Sequence, residues 1–333
     1  MPSRREFLRG IAGATAAAVC GGRSPARGAE PPAGPSVGEL GPLPRIVLGR
    51  TGRSVPRLGI GAFPLGNLPD VEAGIAVLLE AFGLGVRYVD TAPSYAAGES
   101  ERRVGVALKR WGSQGGVLAR DEFYIATKTL KRDSDGARRD LDESLERLGL
   151  DYVDSVQCHE VHDDWESLFA PGGVIEGIEK ARTEGLVRHV CITGHRDPKW
   201  LVEAVKRYPF ATALVPVNPI DVQHKSFVRD FLPVAVEKNV AVIAMKVFGG
   251  GFLLNSAGED GKPIYTVDDL LTYALAQDGV AVVVPGCDQI EHVRVAGAAV
   301  AAYHNPEAEF LKALEARAPH HEGKETEWYK DEE

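Results

Sequence analysis

Residues 140–159 read DLDESLERLGLDYVDSVQCH and show the unit from which the rest of the fold is built. Leucines recur at intervals near 3.6 residues between Leu141 and Leu150, with charged residues between them, as in an amphipathic helix. Gly149 is a typical residue to end that helix. The β-rich run 152–159 then has the length of a strand. The stretch therefore predicts a helix followed at once by a strand.

Short β-rich runs and amphipathic helical stretches alternate in this way from residue 58 onward. The β-rich runs lie at residues 58–62, 86–91, 123–128, 152–159, 187–193, 213–218, 240–247 and 280–285. The helical stretches lie near residues 70–83, 98–111, 135–148, 174–184, 197–207, 225–238, 267–277 and 289–303. A helical stretch thus separates each β-rich run from the next. The pattern therefore favours parallel strands joined by right-handed crossovers.

Eight strand–helix units suffice to close a barrel, and the predicted fold class is α/β, a (β/α)₈ TIM barrel. Short apolar runs on both sides of residues 49–52 predict an N-terminal β-hairpin before the barrel. A doubly wound open sheet is the alternative. It requires a glycine-rich turn after an early strand, and no early strand of this chain ends in that way.

The two ends of the chain differ from the barrel region. The sequence SRREFL at residues 3–8 precedes an Ala/Gly-rich run, which predicts a twin-arginine (Tat) signal peptide over residues 1–29. A disordered tail that happens to carry two arginines is the alternative. We expect a disordered linker at 30–43, the barrel domain at 44–305, and a C-terminal helix with a charged, surface-exposed tail at 306–333. The expected protein is exported through the Tat machinery to the periplasm or another extracytoplasmic space, without stable membrane insertion after processing.

Composition narrows the function classes. The chain has 333 residues and a formal charge of −9 at pH 7, which argues against nucleic-acid binding. Beyond the predicted signal, the cysteines are Cys158, Cys191 and Cys287. Their odd number and spacing give neither a disulfide framework nor a zinc or iron–sulfur site, so we expect no metal. The oligomeric state stays open.

Polar residues stand at the carboxyl ends of three successive predicted strands. Asp90, Lys128 and His159 occupy these positions, and Tyr95 lies on the loop after Asp90. Reactive residues of (β/α)₈ barrels lie at this end of the strands. A lysine ammonium favours the phenolate of a nearby tyrosine and lowers its pKa, and an aspartate holds that lysine charged. A histidine can hydrogen-bond a substrate carbonyl. Together they suit protonation of a developing alkoxide while hydride arrives from a cofactor.

The chain resembles the aldo-keto reductase family from about residue 43 to 303. The hairpin LGRTG at residues 48–52, the segment from Asp90 to Tyr95, the ESE sequence at 99–101, Lys128 and His159 match its motifs. The resemblance implies an NAD(P)-dependent oxidoreductase acting on a small carbonyl or alcohol substrate. It further implies Tyr95 as general acid, Lys128 and Asp90 as the pair that tunes it, and His159 as the residue that orients the substrate.

The resemblance also implies a set of cofactor-binding positions, for NADP (NADPH) or NAD. They are Ala62, Phe63, Asp90, Thr193, Gly194, Asn218, Met245, Lys246, Phe248, Gly249, Gly250, Gly286, Cys287 and His292. Several depart from the family pattern: Thr193-Gly194 replaces Ser-Asn, and Met245 replaces an aromatic residue. Near His292, where a cationic set usually grips the 2′-phosphate, only Arg294 is cationic at neutral pH. We therefore expect at most a modest preference for NADPH over NADH.

Two other classes of function stay open. The first is an aldo-keto-reductase-like sensor or regulatory protein that binds nucleotide with little turnover. The second is a metal-dependent hydrolase or lyase using His159, His162 and His195, although the chain has no early His-x-His set. Phe63 and Trp165 either line a substrate pocket or pack the mouth of the barrel.

Overall fold

The computed structural model describes residues 41–113, 120–258, 261–317 and 326–330. Within them, β1 (Arg45–Val47) and β2 (Ser54–Pro56) form the predicted antiparallel hairpin. Gly52 has a φ of +68° and ends the turn between them. The predicted signal peptide and residues 30–40 of the predicted linker lie outside the described residues.

Eight parallel strands follow the hairpin in the described part of the chain. They are β3 (Gly59–Gly61), β4 (Tyr88–Asp90), β5 (Tyr124–Thr129), β6 (Val153–Cys158), β7 (Val187–Thr193), β8 (Thr212–Pro216), β9 (Ala241–Met245) and β10 (Val280–Val283). Each strand pairs with the next one along the chain. Isolated parallel bridges, Leu58 to Val283 and Gly61 to Gly286, join the first strand to the last. The prediction of a (β/α)₈ barrel with an N-terminal hairpin is confirmed.

Helices surround the barrel. In chain order they are α1 (Phe63–Asn67), α2 (Val71–Gly83), α3 (Glu99–Ser113), α4 (Ser134–Leu148), α5 (Val174–Thr183), α6 (Pro198–Arg207), α7 (Leu232–Glu237), α8 (Phe252–Asn255), α9 (Val267–Ala276), α10 (Ile290–Ala301) and α11 (Ala308–Glu315). Gly149 ends α4 in the left-handed conformation, as the sequence predicts. None of the described helices is long and apolar enough to cross a bilayer.

Two apolar layers explain the packing. The larger one lies between strands and helices, and a second fills the inside of the barrel. Leu48 and Val55 of the hairpin region belong to the inner layer, together with the stacked rings of Tyr88 and Tyr124. The hairpin therefore closes the amino-terminal end of the barrel. The carboxyl ends of the strands form the opposite mouth, where the polar residues of the site lie.

The prediction of one amphipathic helix over residues 225–238 is wrong for its first half. A π-helical turn, Phe227–Phe231, precedes the short α7, and Pro233 stands in the first turn of α7. Proline lacks an N–H donor and is favoured at the start of a helix, so it marks a new helical start here. The Asp221 carboxylate also accepts a hydrogen bond from the backbone N–H of Val228 at 2.8 Å, outside the helical pattern.

The charged tail of the predicted region 306–333 is expected to lie on the surface. This prediction is wrong for Tyr329 and Lys330. The turn Trp328–Lys330 packs against loops at the mouth of the barrel, where both Tyr329 and Lys330 are buried. An aromatic ring and a charged group with close partners hold it there, and neither contact is visible in the local sequence pattern. Residues 318–325 and 331–333 lie outside the described residues.

Candidate active site

The four predicted catalytic residues meet at the mouth of the barrel. Asp90 is the last residue of β4, Lys128 lies in β5, and His159 directly follows β6. The Lys128 ammonium donates to Asp90 Oδ2 at 2.5 Å and to the carbonyl oxygen of Thr91 at 2.8 Å. It also lies 4.6 Å from the centre of the Tyr95 ring, and the Tyr95 and His159 rings are 6.3 Å apart, edge to face.

The loop that carries Tyr95 has an unusual backbone. Ala96 and Ala97 have φ angles of 50° and 53°, and Gly98 has a φ of +84°. The left-handed conformation costs an alanine roughly 1–2 kcal/mol. Such strain persists only where the surroundings hold it, and it is found preferentially at functional sites. Here the Phe63 ring packs on the Tyr95 ring at 5.1 Å and the Tyr95 amide donates to the Ala92 carbonyl at 3.1 Å.

The Asp90–Lys128 ion pair is almost fully buried. Burial acts to lower the pKa of Lys128, but the Asp90 carboxylate and Tyr95 outweigh it, and the pKa of Lys128 is raised. The second Asp90 oxygen accepts a hydrogen bond from the Gln157 amide at 2.8 Å. Sequence reasoning missed Gln157, although strand alternation places it on the same side of the chain as His159, two residues later.

The protonation state of Tyr95 differs from the simplest expectation. Burial raises the pKa of Tyr95 above its ordinary value, and the opposing effect of Lys128 does not cancel it. Lys128 does act to lower the pKa of Tyr95, as predicted, but the loss of solvation is the larger influence, so the net direction is upward. The phenol keeps its proton at neutral pH, which suits a proton donor.

His159 is held in its neutral form. Burial, reinforced by the positive charge of Lys128, lowers the pKa of His159 to about 3. Its backbone amide donates to the Thr129 carbonyl at 2.9 Å, which fixes the main chain beside the ring. The ring nitrogen Nδ1 is buried and has no hydrogen-bond partner among the described residues. A neutral imidazole with a free nitrogen can bind an uncharged polar group such as a carbonyl or hydroxyl.

A second group of predicted residues lies at the ends of β7, β8 and β9, and we call it the nucleotide groove. Its members are Thr193, Gly194, Asn218, Met245, Lys246, Phe248, Gly249 and Gly250. The Thr193 hydroxyl donates to the Leu214 carbonyl at 2.9 Å, and the Asn218 amide donates to the Lys246 carbonyl at 3.1 Å. A Cβ at Gly194 would lie 2.8 Å from the backbone carbonyl oxygen of Val161, which explains glycine at this position.

The glycine turn after β9 suits an anionic ligand. Gly249, Gly250 and Gly251 all have positive φ angles, of 55°, 67° and 97°. A Cβ at Gly250 would meet only Trp328 and Phe252, at 3.8 and 4.0 Å, so the backbone can be approached closely. Lys246 supplies a cation at the start of the turn. These groups fit the pyrophosphate of a dinucleotide.

The remaining cofactor positions lie around β3, β4 and the end of β10. Ala62 is buried and its amide donates to the backbone carbonyl oxygen of Asp90 at 2.8 Å, whereas Phe63 is 43% exposed. Gly286 pairs with Gly61, while the adjacent Cys287 is buried, and burial raises the pKa of its thiol to about 12. Its thiol therefore stays neutral and inert.

The two basic side chains beside this last segment already have anionic partners. His292 pairs with Asp288 at 2.7 Å, and the Arg294 guanidinium donates to Glu80 at 2.7 Å. Binding of a 2′-phosphate by either side chain would therefore compete with a carboxylate.

The histidines of the metal alternative do not form a ligand cluster. His162 pairs with Asp163, and His195 pairs with Glu160. Over residues 41–113, 120–258, 261–317 and 326–330, no group of three or more His, Cys, Asp or Glu side chains is placed to hold a metal ion.

Comparison with known proteins identifies the family. The sequence profile described as Aldo/keto reductase family matches residues 57–269. The chain belongs to the aldo/keto reductase family. It is accordingly an oxidoreductase that depends on NADP(H) or NAD(H), as the residues at the mouth of the barrel also indicate.

Several relatives extend this match. The chain is similar to L-galactose dehydrogenase of Arabidopsis thaliana, with 31% identity over 65% of this chain and 69% of that protein. It is also similar to D-threo-aldose 1-dehydrogenase of a Pseudomonas species, with 32% identity over 64% and 72%. In fold it resembles the holo form of an aldo-keto reductase from Bacillus halodurans, with a TM-score of 0.67, 24% identity and coverage of 83% and 96%.

We expect His159 to stay neutral down to about pH 5, because burial and Lys128 both disfavour its imidazolium. The ¹⁵N shifts of its ring nitrogens, assigned by comparison with a His159→Gln variant, measure this directly. The exposed His304 in the same spectra serves as the control. A His159 titration midpoint at or above about pH 6 would contradict the electrostatic description of the site.

Proposed function

We propose that this aldo/keto reductase reduces an aldehyde or ketone, or runs the reverse oxidation, with Tyr95 as the general acid. The observation that carries the proposal is the buried cluster of Asp90, Lys128, Tyr95 and His159 at the carboxyl ends of adjoining strands. A protonated phenol beside a buried ammonium can lose its proton to a developing alkoxide, because the ammonium stabilises the phenolate that remains.

The dinucleotide, when bound, supplies or accepts the hydride. Asn218, Lys246 and the glycine turn are the groups that would hold it. Lys128 keeps the proton-donating hydroxyl in a positive field, and Asp90, fixed by Gln157, keeps Lys128 charged. Neutral His159 orients the substrate oxygen through a hydrogen bond without adding a second positive charge.

Sugar-like hydroxy aldehydes and their alcohols are the substrate class that we propose to test first. Two relatives carry the names L-galactose dehydrogenase and D-threo-aldose 1-dehydrogenase. The mouth of this barrel also combines an exposed aromatic ring, Phe63, with the polar side chains of Glu160 and Arg196, which pair at 3.3 Å. Aromatic faces with adjacent hydrogen-bonding groups suit polyhydroxylated ligands.

We expect Tyr95→Phe to lower kcat for carbonyl reduction by about 10²–10⁴-fold, which is the usual contribution of a general acid. Nucleotide affinity should stay unchanged, since only a hydroxyl is removed. Tyr152→Phe is the matched control, because the Tyr152 hydroxyl binds Asp121 far from the site. Full turnover of a simple aldehyde by Tyr95→Phe would refute this role.

The preference for NADPH over NADH should be at most modest. His292 and Arg294 are each paired with a carboxylate, so a 2′-phosphate gains little there. Charge-assisted hydrogen bonds contribute roughly 1.5–3 kcal/mol each, and the loss of one or two removes about 10- to 10³-fold of discrimination. The ratio of kcat/KM for the two nucleotides measures this, and a ratio above about 10³ for NADPH would show an intact phosphate site.

We also propose that the protein is exported through the twin-arginine pathway. Support comes from the SRREFL sequence at residues 3–8, the Ala/Gly-rich run after it, and cysteines that are buried and unpaired in the described part of the chain. Folding in the cytosol with nucleotide present fits such a protein.

Replacing Arg4 and Arg5 together with lysine should abolish export, because a receptor reads the arginine pair and not the charge alone. The nearby Arg9→Lys is the matched control and should leave export intact. Fractionation and size analysis of the precursor measure the outcome. Normal processing of the double lysine variant would exclude the Tat route.

A further inference from the structure

The nucleotide groove is covered by the chain's own end. We call residues 327–330 the C-terminal segment; they are more than 75 positions beyond the glycine turn in sequence. The segment lies across the loops after β7, β8 and β9, the same three loops that supply the nucleotide groove. The C-terminal segment therefore occupies space in front of residues that are predicted to contact the cofactor.

Tyr329 is the most deeply placed residue of the segment, with no exposed surface. Its carbonyl oxygen lies 3.1 Å from His195 Nδ1, and the two rings meet edge to face at 5.8 Å. Its hydroxyl accepts a hydrogen bond from the Asn218 amide at 3.4 Å. Asn218 is one of the positions predicted to contact the cofactor, so Tyr329 uses a donor that the nucleotide would need.

Trp328 and Tyr329 also cover the cation of the groove. The Lys246 ammonium lies 4.6 and 4.5 Å from the centres of their rings, within cation–π distance. Trp328 lies over the glycine turn, with its Nε1 3.8 Å from where a Cβ of Gly250 would stand. A pyrophosphate bound to Lys246 and to this turn would occupy the space of the two rings.

Lys330 anchors the C-terminal segment to the rest of the barrel. Its side chain is fully buried, and its ammonium donates to Asp221 Oδ1 at 2.8 Å, to the His224 carbonyl at 2.6 Å and to Glu327 at 2.6 Å. Lys225 in turn donates to the Lys330 carbonyl at 3.0 Å. A buried ammonium with three close oxygen partners is a strong local anchor, since hydrogen bonds to charged groups are the strong ones.

We propose that the C-terminal segment is an intramolecular competitor for the nucleotide groove, held by Lys330 and displaced when a dinucleotide binds. The inference rests on the proposed use of this groove by the nucleotide. Only the fraction of molecules with the segment displaced can bind, so the apparent Kd equals the intrinsic Kd divided by that fraction. The segment thereby weakens nucleotide binding in the closed protein.

The competing description makes the segment a fixed wall that contacts the bound nucleotide. The two descriptions predict opposite signs. If the segment competes, weakening its anchor tightens nucleotide binding; if it is a wall, the same change weakens binding.

The test uses the full chain with Lys330→Met, which removes the charge and keeps the length of the side chain. Lys312→Met on α11 is the matched control, and Tyr329→Ala is a second variant that leaves Asp221 paired. Titration with NADPH and with NADH, followed by nucleotide fluorescence, should give an apparent Kd at least about 10-fold lower for both variants of the C-terminal segment. The control should bind like the parent.

Hydrogen exchange supplies a readout independent of turnover. The Lys330 amide donates to the Glu327 carbonyl at 2.8 Å, and saturating nucleotide should accelerate exchange in a peptide covering residues 326–330 of the parent. Unchanged or weaker binding in both variants, or slower exchange on loading, would overturn the inference and leave the proposed function intact. Failure of the parent and of both variants to bind either nucleotide would reject both.

Discussion

The buried ion pair between Lys128 and Asp90 is the interaction on which the site depends. Taking an ammonium out of water is costly, and only a partnered carboxylate at close range compensates for it. Asp90 meets this need at 2.5 Å, while Gln157 occupies its other oxygen. Removing either charge would leave the other buried and unpaired. The barrel supplies this arrangement because neighbouring parallel strands bring their carboxyl ends to one mouth.

Burial then determines which groups carry protons. At neutral pH, Tyr95 keeps its proton and His159 stays neutral beside the same ammonium, because burial removes solvation from the charged form of each. The result is one ion pair, Lys128 with Asp90, and two neutral polar groups, Tyr95 and His159. Because the ion pair carries no net charge, a neutral carbonyl group can enter the site. The Tyr95 phenol is then the group that can donate a proton.

The other half of the mouth is organised by a different contact. The anchor between Lys330 and Asp221 places Tyr329 against His195 and Asn218. His195 also pairs with Glu160, the residue after His159. The C-terminal segment is thus connected through one imidazole to the part of the mouth that holds His159.

The sequence by itself determined the barrel, the hairpin and the positions of Asp90, Lys128 and His159 at strand ends, because strand and helix periodicities are local and a barrel brings strand ends together. It also pointed to the glycine turn after β9. Only the tertiary structure decided the protonation of the site, since solvation depends on every surrounding element. The ion pair between Lys330 and Asp221, which are 109 residues apart, is also visible only in the tertiary structure. No local sequence pattern encodes a contact between two polar residues so distant in the chain.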